Sequence, residues 1–238
     1  MKNYEFISKS IYFPKKRNLI IGDLHFGYEE SLNRKGVAIP RIQLDSTIKD
    51  LNFIIKKIKK LDKVILLGDV RHSFNKISSQ EIEGLRKIFE LFKIKFPKIE
   101  IIIIKGNHDN LLRILLNKEK LDNIKLVDYF LEDKILFFHG DIKSFKKIEI
   151  VKKKAEILVI GHFHPSIKLS DGIKVEKYKC FIEGRLDNKK IVIVPSFFPL
   201  IEGTNIFENE ELESYKIKDK RLFVISPDQK VLNFGRIN

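Results

Sequence analysis

The chain has a single cysteine and no tryptophan in 238 residues. One thiol cannot build a disulfide framework or a cysteine-based zinc site, so a reducing, cytoplasmic setting is expected. Long apolar runs are also missing. Ile101–Ile104 has the length of a strand, far short of the roughly 18 residues a membrane helix needs. No apolar segment of signal-peptide type follows Met1, so no membrane partner is expected. Arginine and glutamine are scarce, at nine and three residues, and no G-x-x-x-x-G-K-[ST] phosphate loop occurs. Any ATPase working with this chain would therefore be a separate partner.

What is abundant is lysine. The 46 basic residues against 32 acidic ones leave a net charge of +14. A lysine- and isoleucine-rich composition can reflect habitat or genome, but an excess of this size also attracts polyanions. Nucleic acid or another polyphosphate is the kind of polyanion such a charge would steer toward a cleft. The runs Lys56-Lys57-x-Lys59-Lys60 and Lys152–Lys154 read as solvated faces. The 43% apolar content suits a globular chain, and its length suits one domain over 1–238 without a separate capping domain. Oligomeric state is not written in it.

The six histidines carry the most information. They fall in I-I-G-D-L-H (20–25), L-L-G-D-V-R-H (66–72), I-K-G-N-H-D (104–109), F-F-H-G-D (137–141) and V-I-G-H-F-H (159–164). Each follows an apolar, strand-like run and lies within three residues of Gly, Asp or Asn. A single Asp after a strand is often only a turn residue. Turn chemistry does not explain why every histidine is recruited. Five such ends converge on one point if the strands lie side by side, and neutral imidazole with carboxylate is a divalent-metal donor set.

Periodicity predicts an opening strand over Tyr4–Phe13, ended by Pro14, and a buried strand over Asn18–Gly22. Residues 26–39 read as a polar loop. Apolar spacing predicts helices from Ile42 to Ile58, over Ser79–Phe92 and from Asp109 to Leu116, with a helix favoured for Ile142–Val151. Strands are expected at Lys63–Leu67, Glu100–Lys105, Leu126-Val127, Lys134–Phe138 and Ile157–Ile160. Val175–Glu183 with Lys189–Val194, and Arg221–Ser226 with Val231–Phe234, read as hairpins. Residues 201–220 read as an exposed acidic excursion. Early strand–helix alternation followed by hairpins implies a layered α/β domain with its ligands at the C-terminal strand ends.

The series D-x-H, G-D, G-N-H-D, H and G-H-x-H across residues 23–164 resembles the calcineurin-like metallophosphoesterase superfamily. The resemblance implies an α/β fold, a four-layer α/β/β/α sandwich, with two divalent metal ions at the strand ends. It implies that Asp23, His25, Asp69 and His164 hold one ion. Asp69, Asn107, His139 and His162 would hold the other, with Asp69 as the bridge. Mn²⁺ leads as the cofactor, and Fe and Zn²⁺ suit the same donors. The implied reaction is phosphodiester hydrolysis by a metal-bound hydroxide.

The resemblance makes His108 a non-ligand that serves phosphate or the leaving oxygen. Asp109 is expected to fix its tautomer, and a helix N-cap is the alternative role for Asp109. In the bend after Ile160, Gly161 is expected to provide the backbone freedom that lets His162 and His164 both reach metal. G-D-V-R-H-S-F resembles the corresponding segment of SbcD-like DNA-repair nucleases and implies that His72 faces substrate. R-x-G-V-x-I-P-R (34–41) and P-S-F-F-P-L (195–200) resemble the archaeal SbcD-related and DNA-ligase-associated phosphoesterases. Two other functions compete: hydrolysis of small nucleotides or phosphomonoesters, and a non-catalytic, metal-stabilised scaffold. A scaffold would need neither His108 nor Asp109.

Overall fold

The computed structural model describes residues 3–121 and 124–237. In chain order the first half contains β1 (Glu5–Ile7), β2 (Ser10–Phe13), β3 (Asn18–Ile21), α1 (Tyr28–Arg34), α2 (Gln43–Lys57), β4 (Lys63–Leu66), α3 (Ser79–Lys95), β5 (Glu100–Ile104), α4 (Leu112–Lys118) and β6 (Lys125–Val127). The second half contains β7 (Tyr129–Glu132), β8 (Ile135–Phe138), α5 (Ile142–Lys147), α6 (Glu149–Lys152), β9 (Ile157–Ile160), β10 (Pro165–Ser170), β11 (Val175–Leu186), β12 (Lys189–Ile193), β13 (Thr204–Asn205), α7 (Glu210–Ser214), β14 (Lys218–Ile225) and β15 (Val231–Arg236).

These strands form two sheets. The first runs β1-β2-β3-β4-β5-β6, with β3 to β6 parallel. The second runs β13-β10-β11-β12-β9-β8-β7, and β14 and β15 join through β11. The central strands are apolar at nearly every position because both faces are buried. Ile20, Ile65 and Ile102 point into a core between the sheets, where they meet Phe137, Val159 and Val192. Their neighbours Leu19, Ile21, Val64, Leu66, Ile101 and Ile103 point the other way, onto the apolar faces of α2, α3 and α4. A third core, with Leu136, Leu158 and Ile182, is covered by Ile148 and Leu212. The result is the expected α/β/β/α sandwich.

Several local expectations are corrected. Tyr4–Phe13 is a hairpin, not one strand: Ser8 turns the chain at φ +52° and β1 pairs with β2. The segment 26–39 contains α1, whose buried Glu29 accepts the backbone N–H groups of Ile42 and Gln43 at 2.7 and 2.8 Å. That buried carboxylate ties α1 to the start of α2, and polarity alone had suggested a loop. The expected turn at 184–188 shrinks to Asp187-Asn188, both at positive φ, as a two-residue hairpin demands. The segment 201–220 is no simple excursion, since β13 pairs with β10 and Ile206, Leu212 and Ile217 are buried. Among the described residues, no helix is long and apolar enough to cross a membrane.

Candidate metal centre

Parallel strands deliver the donors. β3, β4 and β5 end just before Asp23, Asp69 and Asn107, and β8 and β9 end just before His139 and His162. Four of the predicted ligands, His25, Asp69, His162 and His164, have φ between +45° and +70°. Non-glycine residues pay for this conformation, and such outliers gather at functional sites. The bend after β9 is thus made by the two histidines themselves. Gly161 serves a different purpose from the one expected: a Cβ there would stand 2.7 Å from Asp23 Oδ2. Gly106 is equally constrained, because its Cβ would meet Asp69 Oδ1 at 2.2 Å.

All seven predicted ligands come together. His25 Nε2 lies 3.3 Å from His164 Nε2, and His164 Nε2 lies 3.5 Å from Asp23 Oδ1. On the other side, His139 Nε2 is 3.0 Å from Asn107 Oδ1 and 3.2 Å from His162 Nδ1. Between them, Asp69 Oδ2 is 3.9 Å from His25 Nε2 and 3.5 Å from His139 Nε2, the place a bridge must occupy. Ligand atoms sharing one ion at about 2.1 Å stand roughly 3–4 Å apart, so both groups fit a divalent cation.

The electrostatics agree. Burial would raise the carboxyls of Asp23 and Asp69, but the surrounding imidazoles outweigh it and hold both below the usual carboxylate range. Burial likewise opposes charge on His139, yet Asp69 and Asp23 lift it to about 10. His25, buried and facing His164, falls to about 3. Without metal, His139 carries the positive charge that the two buried carboxylates demand, and a divalent ion with neutral imidazoles would take its place.

His108 is brought to the same point without joining either group. Its backbone N–H donates to Asp69 Oδ1 at 2.9 Å, and its Nε2 lies 3.9 Å from Asp69 Oδ2. Its Nδ1 meets the carbonyl oxygen of His72 at 2.6 Å. The expected Asp109–His108 pairing is replaced by this bond. Asp109 is fully buried, and its oxygens accept the backbone N–H groups of Val70, Arg71 and Gly106 at 3.1, 3.2 and 3.0 Å. It clasps two ligand-bearing loops together. It is not the cap of α4 either, which starts at Leu112 with Leu111 in the cap position.

His72 packs between Tyr28 and His108, with ring centroids 4.9 and 5.6 Å away. Burial lowers its imidazole to about 4, with His108 and Lys35 adding to the effect. The loop that carries it is organised by Glu81. This residue completes a capping box with Ser78 at the start of α3, accepts from Ser73 N at 3.0 Å and pairs with the buried Arg71 at 3.1 Å. The pattern Ser78-x-x-Glu81 is visible in the sequence and could have marked this role.

The family model described as calcineurin-like phosphoesterase matches residues 16–226. The chain belongs to that family. No functionally curated protein matches this family member's sequence. Among solved structures, the chain is similar to one described as a novel archaeal phosphodiesterase, at 14% identity and TM-score 0.43, covering 91% of this chain and 97% of that one. Vacuolar protein sorting 29 from Cryptosporidium parvum is similar at 16% identity and TM-score 0.41, with coverages of 93% and 97%. A predicted phosphoesterase from Streptococcus pneumoniae TIGR4 is similar at 16% identity and TM-score 0.37, with coverages of 92% and 94%. Likenesses this distant carry no argument about activity.

Further residues join this phosphoesterase's site, and although Phe198 lies within P-S-F-F-P-L and Phe74 within G-D-V-R-H-S-F, their contacts were not expected. Phe198 lies 6.1 Å from His25 and 4.9 Å from Tyr28, ring to ring. Its loop is clamped by the buried Lys9 and the half-buried Lys179: Lys9 donates to Phe197 O at 3.1 Å, and Lys179 donates to Ser196 O at 2.9 Å and to Phe198 O. Phe197 N and Phe198 N in turn donate to Asp23 O at 2.8 and 3.1 Å. Phe74 is 48% exposed and lies 3.9 Å from His108, ring to ring, at 31°. Glu211 of α7 reaches His162. Nothing in local sequence marks these contacts, because each joins segments distant along the chain.

Proposed function

We propose that this phosphoesterase hydrolyses phosphodiester bonds in nucleic-acid strands, as a relative of the SbcD-related and DNA-ligase-associated group. The observation that carries the reading is Phe74. Its exposed ring lies against His108, which in turn faces the bridging carboxylate. A base next to the scissile phosphate would find an aromatic face there, and such stacking contributes roughly 1–3 kcal/mol per base. Cations flank the site on both sides. Lys35 acts on His72, and a cavity of about 140 Å³ beside Asn107 is lined by Lys105, Lys143 and Lys147 together with Asp128 and Asp141, of which Asp128 pairs with Lys147. Phosphates up- and downstream of the cut would be held there, with His72 helping to position the strand.

Asp23, His25, Asp69 and His164 would hold one divalent ion. Asp69, Asn107, His139 and His162 would hold the second, with Mn²⁺ first and Fe or Zn²⁺ chemically compatible. When bound, such a pair supplies Lewis acidity toward phosphate and brings the ionisation of water near neutral pH. The chain's own residues do the rest. Asn107 adds an oxygen donor without a negative charge, so the site still admits an anion. The His72 carbonyl can only accept, so the hydrogen of His108 resides on Nδ1. Its Nε2, on the metal side, is then the nitrogen that takes up a proton and hands it to the departing oxygen.

The test is a panel with Mn²⁺-loaded protein on single-stranded DNA, duplex DNA, RNA, a cyclic nucleotide and an aryl phosphodiester. Cleavage of a polynucleotide is expected, with binding that weakens as salt rises. Brisk turnover of the cyclic nucleotide, with no polymer bound or cut at low salt, would replace this reading with a small-molecule one.

A further inference from the structure

We propose that Glu211 is a positioning residue that sets His162 as a ligand through Nδ1, making the second metal site depend on helix α7. The inference rests on the two-metal reading above. His162 Nδ1 stands 3.2 Å from His139 Nε2 and so faces the Asp69–Asn107–His139 group. Its Nε2 faces away, 3.2 and 3.3 Å from the two carboxylate oxygens of Glu211. A carboxylate accepts and does not donate, so Nε2 carries the hydrogen and Nδ1 presents its lone pair to the group. Carboxylate pairing of this kind fixes the tautomer and ring orientation of a metal-bound histidine and strengthens its basicity.

The helix that brings Glu211 is built for placement. Asn209 caps α7 by accepting from Leu212 N at 3.0 Å, and its Nδ2 donates to Phe163 O at 3.4 Å, one residue beyond His162. At the other end Tyr215 packs on Phe145 and Phe163, and its hydroxyl donates to Gly140 O at 3.4 Å, one residue beyond His139. Leu212 is buried beneath. The helix is thus seated on the neighbours of both histidines of the second site. The Glu211 side chain is itself 41% exposed, and an ion pair that open to solvent contributes little to stability. Its geometric effect on His162 is what remains.

The experiment uses metal-stripped full-length protein titrated calorimetrically with Mn²⁺, and nitrogen-15 spectra of the histidine side chains after Zn²⁺ loading. In wild type, two sites are expected, with His162 bound through Nδ1 and protonated at Nε2. Glu211→Ala should weaken one site by about 10–100-fold and leave the other unchanged. Glu211→Gln keeps an accepting oxygen and should recover most of that loss, while the melting temperatures of all three metal-free proteins coincide. Two full-affinity sites in Glu211→Ala, an equal loss in both variants, or ligation of His162 through Nε2 would each overturn the proposal. Wild-type protein that takes up no metal would instead overturn the two-metal reading on which it stands.

Discussion

The main-chain oxygen of His72 lies 2.6 Å from Nδ1 of His108, so the loop after β4 sets the tautomer of a histidine on the loop after β5. A carbonyl does this without a charge, and it cannot be removed by changing a side chain. His108→Ala should therefore isolate the proton-transfer role: turnover falls by about 10²–10⁴-fold while metal content stays at the wild-type level. Elemental analysis beside steady-state kinetics checks it. Loss of metal along with activity would make His108 a ligand.

Asp69 stands between the two donor groups, with Oδ2 3.9 Å from His25 Nε2 and 3.5 Å from His139 Nε2. Asp69→Ala should abolish activity and release at least one metal equivalent. Full loading with two equivalents in the variant would remove the bridge from the assignment.

Asp109 has a structural task, so its conservative replacement should be read in stability. In Asp109→Asn, one carboxylate oxygen becomes an NH₂ group, which cannot accept from Gly106 N or from the Val70 and Arg71 pair. Leaving a buried donor unmet costs about 1–3 kcal/mol. A denaturant melt of the metal-free protein should show a loss of unfolding free energy of that order, read as a lower midpoint. A wild-type midpoint with catalysis lost as in His108→Ala would restore a direct catalytic role to Asp109.

Lys179 is half-buried, and desolvation of its ammonium holds it well below the usual lysine range, with Lys9 adding to the effect. Between its folded and unfolded ionisation ranges the unfolded chain binds the extra proton, so stability rises with pH through that window. Lys179→Met should flatten that rise on the alkaline side. The same change frees the Ser196 and Phe198 carbonyls, so the 195–198 loop should exchange amide hydrogens faster. An unchanged slope in the variant would mean that Lys179 is not the titrating group.

The proposed function gives Phe74 and His72 a role in holding the strand, and their variants should show it in the substrate. Phe74→Ala should raise KM for an oligonucleotide by roughly 5–150-fold, the equivalent of ~1–3 kcal/mol of stacking, with kcat little changed. An alkyl phosphodiester, which has no ring to stack, should be cut as by wild type. His72→Ala should likewise impair polymer cleavage more than alkyl ester cleavage. Equal losses on both substrates would place either residue in the general chemistry.

The strand ends and the donor residues were legible because both obey local rules. Apolar runs such as Val64–Leu67 and Ile101–Ile104 can only be buried strands at that length, and Asp, Asn and His follow them directly. The α1 helix was not legible, since its stability comes from Glu29 being buried against the start of α2. Nor was the hairpin of β1 and β2, which turns on a positive φ at Ser8.

By itself the sequence determined which side chains could meet a metal and that parallel strands would carry them, because composition and periodicity are properties of neighbours along the chain. Only the tertiary structure decided what each auxiliary group touches. It gave His108 to a carbonyl, Asp109 to three backbone amides and Glu211 to His162. It also made Gly161 a matter of clearance from Asp23. The physical reason is range: a hydrogen bond or a 2.7 Å clash is settled by where two distant segments come to rest, and no local pattern encodes that distance.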